Sequence, residues 1–302
     1  MADANPVTAA KERAAALSVA SNVSLIALKV VAGIATGSVA ILTEAAHSAM
    51  DLIASITALV SVRKAGEPAD ADHLYGHEKI ENLAGAIEGA LILLGAAVIT
   101  YEALARLVRG GHDRNLGVGI AVIAASAAVN VVVAAVVAAR ARRTASVALE
   151  ADAAHLRADA VSSSAVLVGL ALVALTGAQW IDPAVALAVA AWIALAGVRI
   201  LRVAARELVD EALPDAELEE IRATIRELGA PRGVVGFHKL RARRAGARRY
   251  VDLHVQLRAG TTLEDAHDVA HALAGRIREQ LPGADVLVHV EPEDRVEPGT
   301  EL

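Results

Sequence analysis

The chain has 302 residues, of which 55% are hydrophobic and 21% charged, and its mean hydropathy is +0.47. This composition is too apolar for an ordinary soluble protein and indicates an integral membrane protein in a lipid bilayer. The net charge of −6 gives no sign of a nucleic-acid partner, and the absence of cysteine excludes disulfides, thiolate metal sites and cysteine nucleophiles. Any bound metal must therefore use imidazole and carboxylate ligands.

Six segments are apolar and long enough to cross a hydrocarbon core of about 30 Å, which requires about 20 helical residues. They cover residues 14–36, 38–62, 82–105, 116–139, 158–176 and 181–203. The short links at Thr36-Gly37-Ser38 and Gly177-Ala178-Gln179 join the first two and the last two spans into hairpins. We predict a polar N-terminal segment over 1–13 without the features of a signal peptide, then an all-α six-helix transmembrane bundle over 14–206.

The basic residues of the loops predict an orientation. An even number of spans places both termini on one side of the membrane, together with the loops around 63–81 and 140–157. Most of the basic residues flank the spans on that side, whereas the other side has Arg106, Arg109 and Arg114. By the positive-inside tendency the majority side is cytoplasmic, so we expect a multi-pass protein of the inner membrane with both termini in the cytosol.

After Arg206 the chain becomes more polar and its pattern changes. The pattern predicts a helix to Leu228 with Asp215 as its N-cap, strands over 234–243 and 249–258, a helix over 262–281 and a strand over 285–291. This order indicates a small cytoplasmic α+β domain over 207–292, of the ferredoxin-like type. The polar tail over 293–302 is expected to be disordered.

A pair of metal-ligand side chains occurs twice within the apolar segments. His47 and Asp51 lie four residues apart, as do His155 and Asp159, so each pair shares one helix face. A carboxylate in the middle of a membrane helix costs about 2.5–3.5 kcal/mol on insertion scales, so its presence requires a reason. Two such faces supply four ligands, which suit tetrahedral Zn²⁺ better than octahedral Mn²⁺ or Mg²⁺. A single pair could merely hold helices together, but the matching second pair favours metal binding.

Three further groups contain possible ligands or supporting residues. Glu44 and Asp152 precede the two intramembrane histidines by three residues and are interpreted as supporting or entrance carboxylates. A loop contains Asp70, Asp72, His73 and His77, which could bind an exposed ion, although an ordinary solvated loop would have the same composition. Half of the histidines fall in the C-terminal domain, where clustering favours a metal site: His238, His254, His267, His271 and His289, with Asp252 and Glu291.

Five motifs follow one another along the chain. They are Gly37-Ser-Val-Ala-Ile-Leu-Thr-Glu-Ala-Ala-His47-Ser-Ala-Met-Asp51, His73-Leu-Tyr-Gly-His77-Glu-Lys79, Asp152-Ala-Ala-His155-Leu-Arg-Ala-Asp159, Leu213-Pro-Asp215 and His289-Val-Glu-Pro292. Together they resemble the cation diffusion facilitator family of divalent-metal/proton antiporters. The resemblance implies a six-helix membrane domain, a cytoplasmic ferredoxin-like domain and a homodimer. It also implies Zn²⁺ as transported and regulatory ion, with H⁺ as counter-ion.

The resemblance assigns roles to individual residues. The implied transport site is His47, Asp51, His155 and Asp159, and histidine in the first position of each pair is typical of zinc preference. A loop site of some members corresponds to Asp70, His73 and His77. A regulatory site at the dimer interface corresponds to His238, His254, His267 and His289, with Glu291 where some members have aspartate. Lys79 and Asp210 fall where the family has a charge interlock.

The leading hypothesis is proton-coupled zinc efflux by alternating access in a homodimer, without enzymatic activity. Within the same family the cargo could instead be cobalt, cadmium, iron or manganese. An intramembrane zinc hydrolase would use similar ligands, but the sequence has no His-Glu-x-x-His motif. A membrane-tethered metal sensor would bind zinc tightly without moving it across the membrane.

Overall fold

The computed structural model describes residues 6–37, 39–109, 117–178 and 180–293. The chain divides into two compact units, Met1–Ala205 and Arg206–Leu302. Six long helices come first: α1 (Pro6–Thr36), α2 (Val39–Ala65), α3 (Lys79–Arg109), α4 (Gly117–Thr144), α5 (Val147–Thr176) and α6 (Ile181–Leu208). The predicted disordered tail falls almost entirely on 294–302, outside the described residues, so it stays a prediction.

Within the described residues, five of the six helices are long and apolar enough to cross a membrane, namely α1 and α3 to α6. The remaining helix, α2, has 27 residues and carries the first predicted ligand pair. We retain α2 as the predicted sixth span. The prediction of a helical membrane domain followed by a small α+β domain is confirmed.

The two short links have the geometry that a tight reversal requires. Gly37 and Gly177 adopt φ angles of 63° and 72°, in the left-handed region that favours glycine. The Gly177 N–H also donates to the Val173 carbonyl and caps the end of α5. As a result α1 packs along α2, and α5 is followed at once by α6.

The predicted loop over 140–157 is wrong, because α4 and α5 are separated only by Ala145 and Ser146. Ala145 has a φ of 47°, and the Ser146 hydroxyl caps α5 by accepting a hydrogen bond from the Leu149 N–H. Leu149 and Leu156 are fully buried against α1 and α4. Apolar packing therefore continues past the membrane core, where hydropathy alone predicted a loop. α1 likewise begins eight residues earlier than predicted.

A buried polar network joins α1, α3 and the start of α5. Lys11 Nζ lies 2.6 Å from Glu81 Oε1, and Glu81 is only 2% exposed. The Ser146 hydroxyl donates to the other carboxylate oxygen of Glu81. One carboxylate thus connects three helices at one end of the membrane domain.

Helices α3 and α6 pack so closely that little space is left between their backbones at two glycines. A Cβ atom added to Gly89 would lie 2.9 Å from the backbone nitrogen of Leu201. A Cβ atom on Gly197 would lie 3.0 Å from side-chain atoms of Ile92 and Leu93. Small residues permit such close packing of membrane helices, where dispersion contacts replace the hydrophobic driving force.

The C-terminal unit is a three-stranded sheet covered on one face by helices. Its elements are α7 (Asp215–Thr224), a π-helical turn (Ile225–Gly229), a 3₁₀ turn (Ala230–Arg232), β1 (Val234–Ala245), β2 (Arg248–Leu257), α8 (Leu263–Gln280) and β3 (Ala284–Pro292). β1 pairs antiparallel with β2, and β2 pairs parallel with β3 through the crossover α8. Val251, Leu253 and Val255 pack against Leu273 and Ile277 of α8 in its core.

One helix start in this unit differs from the prediction. Asp215 is the first residue of α7, and the N-cap position is taken by Pro214, which offers no side-chain cap. Thr262 does cap α8, because its hydroxyl accepts from the Asp265 N–H at 3.1 Å.

Candidate metal centres

Three of the four predicted intramembrane ligands meet where α2 packs against α5. His155 Nε2 lies 3.4 Å from Asp51 Oδ1 and 3.9 Å from Asp159 Oδ2. One ligand atom from each of the three side chains lies within 4.8 Å of the other two. Donors in a tetrahedron around Zn²⁺, with bonds of about 2.0–2.2 Å, are roughly 3.4 Å apart. Small side-chain adjustments would therefore let these atoms share one ion.

His47, the fourth predicted ligand, lies on α2 one turn before Asp51. Helical periodicity places the two residues on the same face of α2. The side chain of His47 lies outside the described residues, so its part in the site stays a prediction.

Polar contacts from α1 hold α2 in place beside this site. Asn22 donates to the Ser55 hydroxyl and, at 3.5 Å, to the Asp51 carbonyl. Lys29, which is 4% exposed, lies 3.1 Å from Glu44 Oε1 and 2.7 Å from the Ser48 hydroxyl. The Lys29 ammonium therefore balances the charge of Glu44, and the sequence alone did not reveal that pairing.

Asp152 lies in the interior of the membrane domain and is only 1% exposed. The Ser18 hydroxyl donates to its Oδ1 at 2.9 Å, while Oδ2 has no hydrogen-bond partner within the described ranges. Asp152 also interacts electrostatically with His155, one turn away on α5. Because Asp152 is buried, it is better placed to support the ligands of the intramembrane site than to line an entrance to it.

Glu88 on α3 is a buried acid that the sequence analysis missed. It is 0% exposed, and neither of its carboxylate oxygens has a hydrogen-bond partner in the part of the chain that is described. It interacts electrostatically with Asp152. No other potential ligand lies one helical turn from Glu88, so the spacing of ligand pairs did not reveal it. The acid itself was the available signal, because a lone carboxylate within an apolar span is costly and requires a reason.

The loop between α2 and α3 brings a second group together. His73 Nδ1 and His77 Nε2 each lie 3.2 Å from an oxygen of Asp70, and the two imidazole rings are 4.4 Å apart. The backbone N–H of His73 donates to Asp70 and is the main reason that the pKa of this carboxyl is lowered. The backbone N–H of Asp72 donates to the same carboxylate. Its side chain is not part of the group of ligand atoms found among the described residues. An ionised carboxylate thus faces two imidazoles.

The third group lies on the sheet face opposite α8. Strand register aligns His238, His254 and His289 across β1, β2 and β3. Their shared partner is Glu291, with oxygens 2.8 Å from His238 Nε2, 2.6 Å from His254 Nδ1 and 3.5 Å from His289 Nε2. Partial burial opposes ionisation of Glu291, but hydrogen bonds from His254 and His238 outweigh it and lower the pKa of the carboxyl.

Three residues proposed for this region, His267, His271 and Asp252, do not join the group within one chain. His267 lies exposed on α8, and its ring packs 4.2 Å from that of His271. The helix α8 covers the core face of the sheet, whereas the three aligned histidines lie on the other face. Asp252 faces Arg241, with 3.5 Å between Oδ2 and Nη2.

Replacing Glu291 with alanine is expected to abolish metal binding by this group, because it removes the carboxylate that contacts all three histidines. We expect the purified full-length protein to retain about one equivalent less of zinc, measured by elemental analysis after dialysis. Glu293→Ala is the matched control, since Glu293 accepts only the Ala259 N–H at 3.1 Å among its described contacts. Equal zinc retention in both variants would contradict the assignment.

The chain matches known families over almost its full length. A family described as the cation efflux transmembrane domain matches residues 15–209, and one described as the cation efflux protein, cytoplasmic domain, matches 213–293. The cation-efflux pump FieF of Serratia proteamaculans is 34% identical over 268 residues, 89% of this chain and 88% of that protein. The transporter sll1263 of Synechocystis sp. is 34% identical over 278 residues, 92% and 89% of the two chains. A solved structure of CzrB in its zinc form is 36% identical and covers 29% of this chain and 98% of that one, with a TM-score of 0.28.

Proposed function

Since this chain belongs to the cation diffusion facilitator family of divalent-cation efflux transporters, we propose that it exports zinc from the cytoplasm in exchange for protons. The observation that carries the proposal is the convergence of Asp51, His155 and Asp159 within 4.8 Å inside the membrane domain. Imidazole and carboxylate donors without thiolate suit Zn²⁺ in a four-coordinate site. Cobalt, cadmium, iron and manganese are the competing cargoes.

Proton coupling follows from the chemistry of the same ligands. Zinc binds when the imidazoles are neutral and the carboxylates are ionised, so binding and protonation compete for the same lone pairs. In an inward-facing state the site takes zinc from the cytosol. In an outward-facing state protonation of His155 or His47 weakens the site and releases the ion. Imidazole suits this exchange because its unperturbed pKa is about 6.5.

The assembly belongs to the same proposal. We place the protein in the inner membrane as a homodimer, with both termini in the cytosol. In the C-terminal domain a second copy would supply His267, which lies apart from His238, His254 and Glu291 within one chain. Metal bound there regulates transport if it binds the two conformational states with unequal affinity.

The test is zinc flux into proteoliposomes whose lumen is more acidic than the medium. Zinc uptake is expected to rise with the pH gradient, the lumen is expected to become more alkaline as zinc enters, and nigericin should remove both effects. Parallel assays with cobalt, cadmium, iron and manganese rank the five cations by their rate of transport. A zinc flux that does not depend on the pH gradient would contradict proton coupling. Tight zinc binding without any flux would instead support the sensor hypothesis.

A further inference from the structure

We propose that α8 carries a further metal site, in which the imidazoles of His267 and His271 bind one divalent transition-metal ion within a single chain. This site goes beyond the regulatory site proposed above, to which a second copy would bring His267 alone. It depends neither on transport nor on dimer formation. A ligand from a second copy would add to the site without replacing His271.

The two histidines have the spacing that a chelating pair on a helix requires. They lie four residues apart on α8, so both project from the same face, one turn from each other. Histidines with this spacing supply two of the zinc ligands in helices of other zinc proteins. The sequence of α8 therefore predicts a chelating pair, and the fold adds the position of the two rings.

The two rings are already close together. Their centres are 4.2 Å apart, with an angle of 48° between the ring planes. The same distance is 4.4 Å for His73 and His77, and 4.6 Å for His254 and His289. The rings of α8 are thus as close as those of the histidine pairs in the loop group and the sheet group.

The pair belongs to a continuous face of ligand side chains. Glu264 lies three residues before His267, and Asp268 lies three residues before His271. Helical periodicity places all four along one side of α8, over about two turns, and all four are exposed. Among the described residues, no cation pairs with either carboxylate. One turn beyond lies Gly275, where an added Cβ atom would have no neighbour within 4 Å, so the space beside the pair is open.

The opposite face of α8 fixes the helix in place. Its buried residues include Ala266, Val269, Leu273 and Ile277, which belong to the core of the domain. The Thr262 hydroxyl caps the first turn. Because the backbone that carries both imidazoles is already ordered, binding an ion has to order only the side chains.

The donor atoms define the class of ion. Imidazole nitrogen suits zinc, copper and nickel, whereas calcium and magnesium take oxygen ligands. The two carboxylates on the same face add negative charge, which favours a dication over a monovalent ion. Zinc is the suitable probe, because it has no redox chemistry that would complicate the measurement.

The test counts the zinc ions that the full-length protein binds at saturation, by equilibrium dialysis of detergent-purified protein against radioactive zinc. His271→Ala is expected to bind one zinc ion fewer per chain than the parent, and so is His267→Ala. The double variant should also lose one ion and not two, because both imidazoles hold the same ion. His271→Ala with Ala272→His is the matched control. It keeps the number of histidines but puts the second imidazole five residues from His267, off its helix face, and should not restore the ion.

Undiminished zinc binding in His271→Ala overturns the proposal, as does a restored ion in the control variant. Loss of an ion in His267→Ala alone would show that His267 acts apart from His271, and it would overturn the pair. In the unmodified chain, zinc should slow the reaction of diethylpyrocarbonate with both imidazoles, measured by mass spectrometry of the α8 peptide. Protection of His267 without His271 would contradict the site. Because no transport is measured, failure of this site is distinguishable from failure of zinc export.

Discussion

Replacing His155 with alanine is expected to lower zinc transport in proteoliposomes by roughly 100-fold or more, because loss of a residue that merely orients a ligand already costs about 10–100-fold in affinity. His155 Nε2 lies between the carboxylates of Asp51 and Asp159, at 3.4 and 3.9 Å. Without the imidazole the site loses its central donor. Asp51→Asn, which keeps the shape and removes the charge, should have a comparable effect.

Ser164→Ala on the same helix is the matched control, because the Ser164 hydroxyl donates to the Ala160 carbonyl of its own helix. It should transport zinc at the parental rate. All variants are compared by size-exclusion chromatography, and each should elute as the parent does. Parental transport rates in both His155→Ala and Asp51→Asn would disprove the site.

Replacing Glu81 with alanine is expected to destabilise the membrane domain by about 3–5 kcal/mol, the usual cost of leaving one member of a buried ion pair alone. The Lys11 ammonium, 2.6 Å from Glu81, would remain buried without its counter-charge. The Ser146 hydroxyl would lose its acceptor as well. The apparent melting temperature of the purified protein should fall by roughly 10 °C.

Two comparisons separate this effect from a general loss of charge. Glu67→Ala breaks a surface pair with Lys64, whose side chain is 55% exposed, and should cost at most about 1 kcal/mol. The double variant Lys11→Met with Glu81→Leu should recover most of the loss, since apolar replacement of both partners is often neutral. A melting temperature within 2 °C of the parent in Glu81→Ala would rule out a structural role for the pair.

Much of the membrane domain could be predicted because the interval between two residues in the sequence determines whether they share a helix face. The intervals from His47 to Asp51 and from His155 to Asp159 are local properties of the sequence, so the ligand pairs could be identified without a structure. Whether two helix faces meet is a tertiary property. The sequence offered only the repetition of the pattern, and the structure adds the 3.4 Å approach of His155 to Asp51.

The histidine group of the C-terminal domain was harder to predict because it depends on strand register. The alignment of His238 with His254 precedes a register shift between His238 and Arg241, where Lys239 adopts a φ of 49°. A shift of one residue would move the histidine to the other face. Clustering in the sequence identified the histidines. Their division between the sheet and α8, which separates His267 and His271 from the other three, could be seen only in the fold.

The glycines between α3 and α6 restrict how the membrane domain can move. At Gly89 the neighbouring atom is the Leu201 backbone nitrogen, which cannot rotate away as a side chain would. Sliding α3 along α6 would bring larger residues into that contact and force the helices apart. We therefore expect these two helices to move together. Any change in the side of the membrane to which the ligands open is then expected to come from helices that carry or contact the ligands, among them α2 and α5.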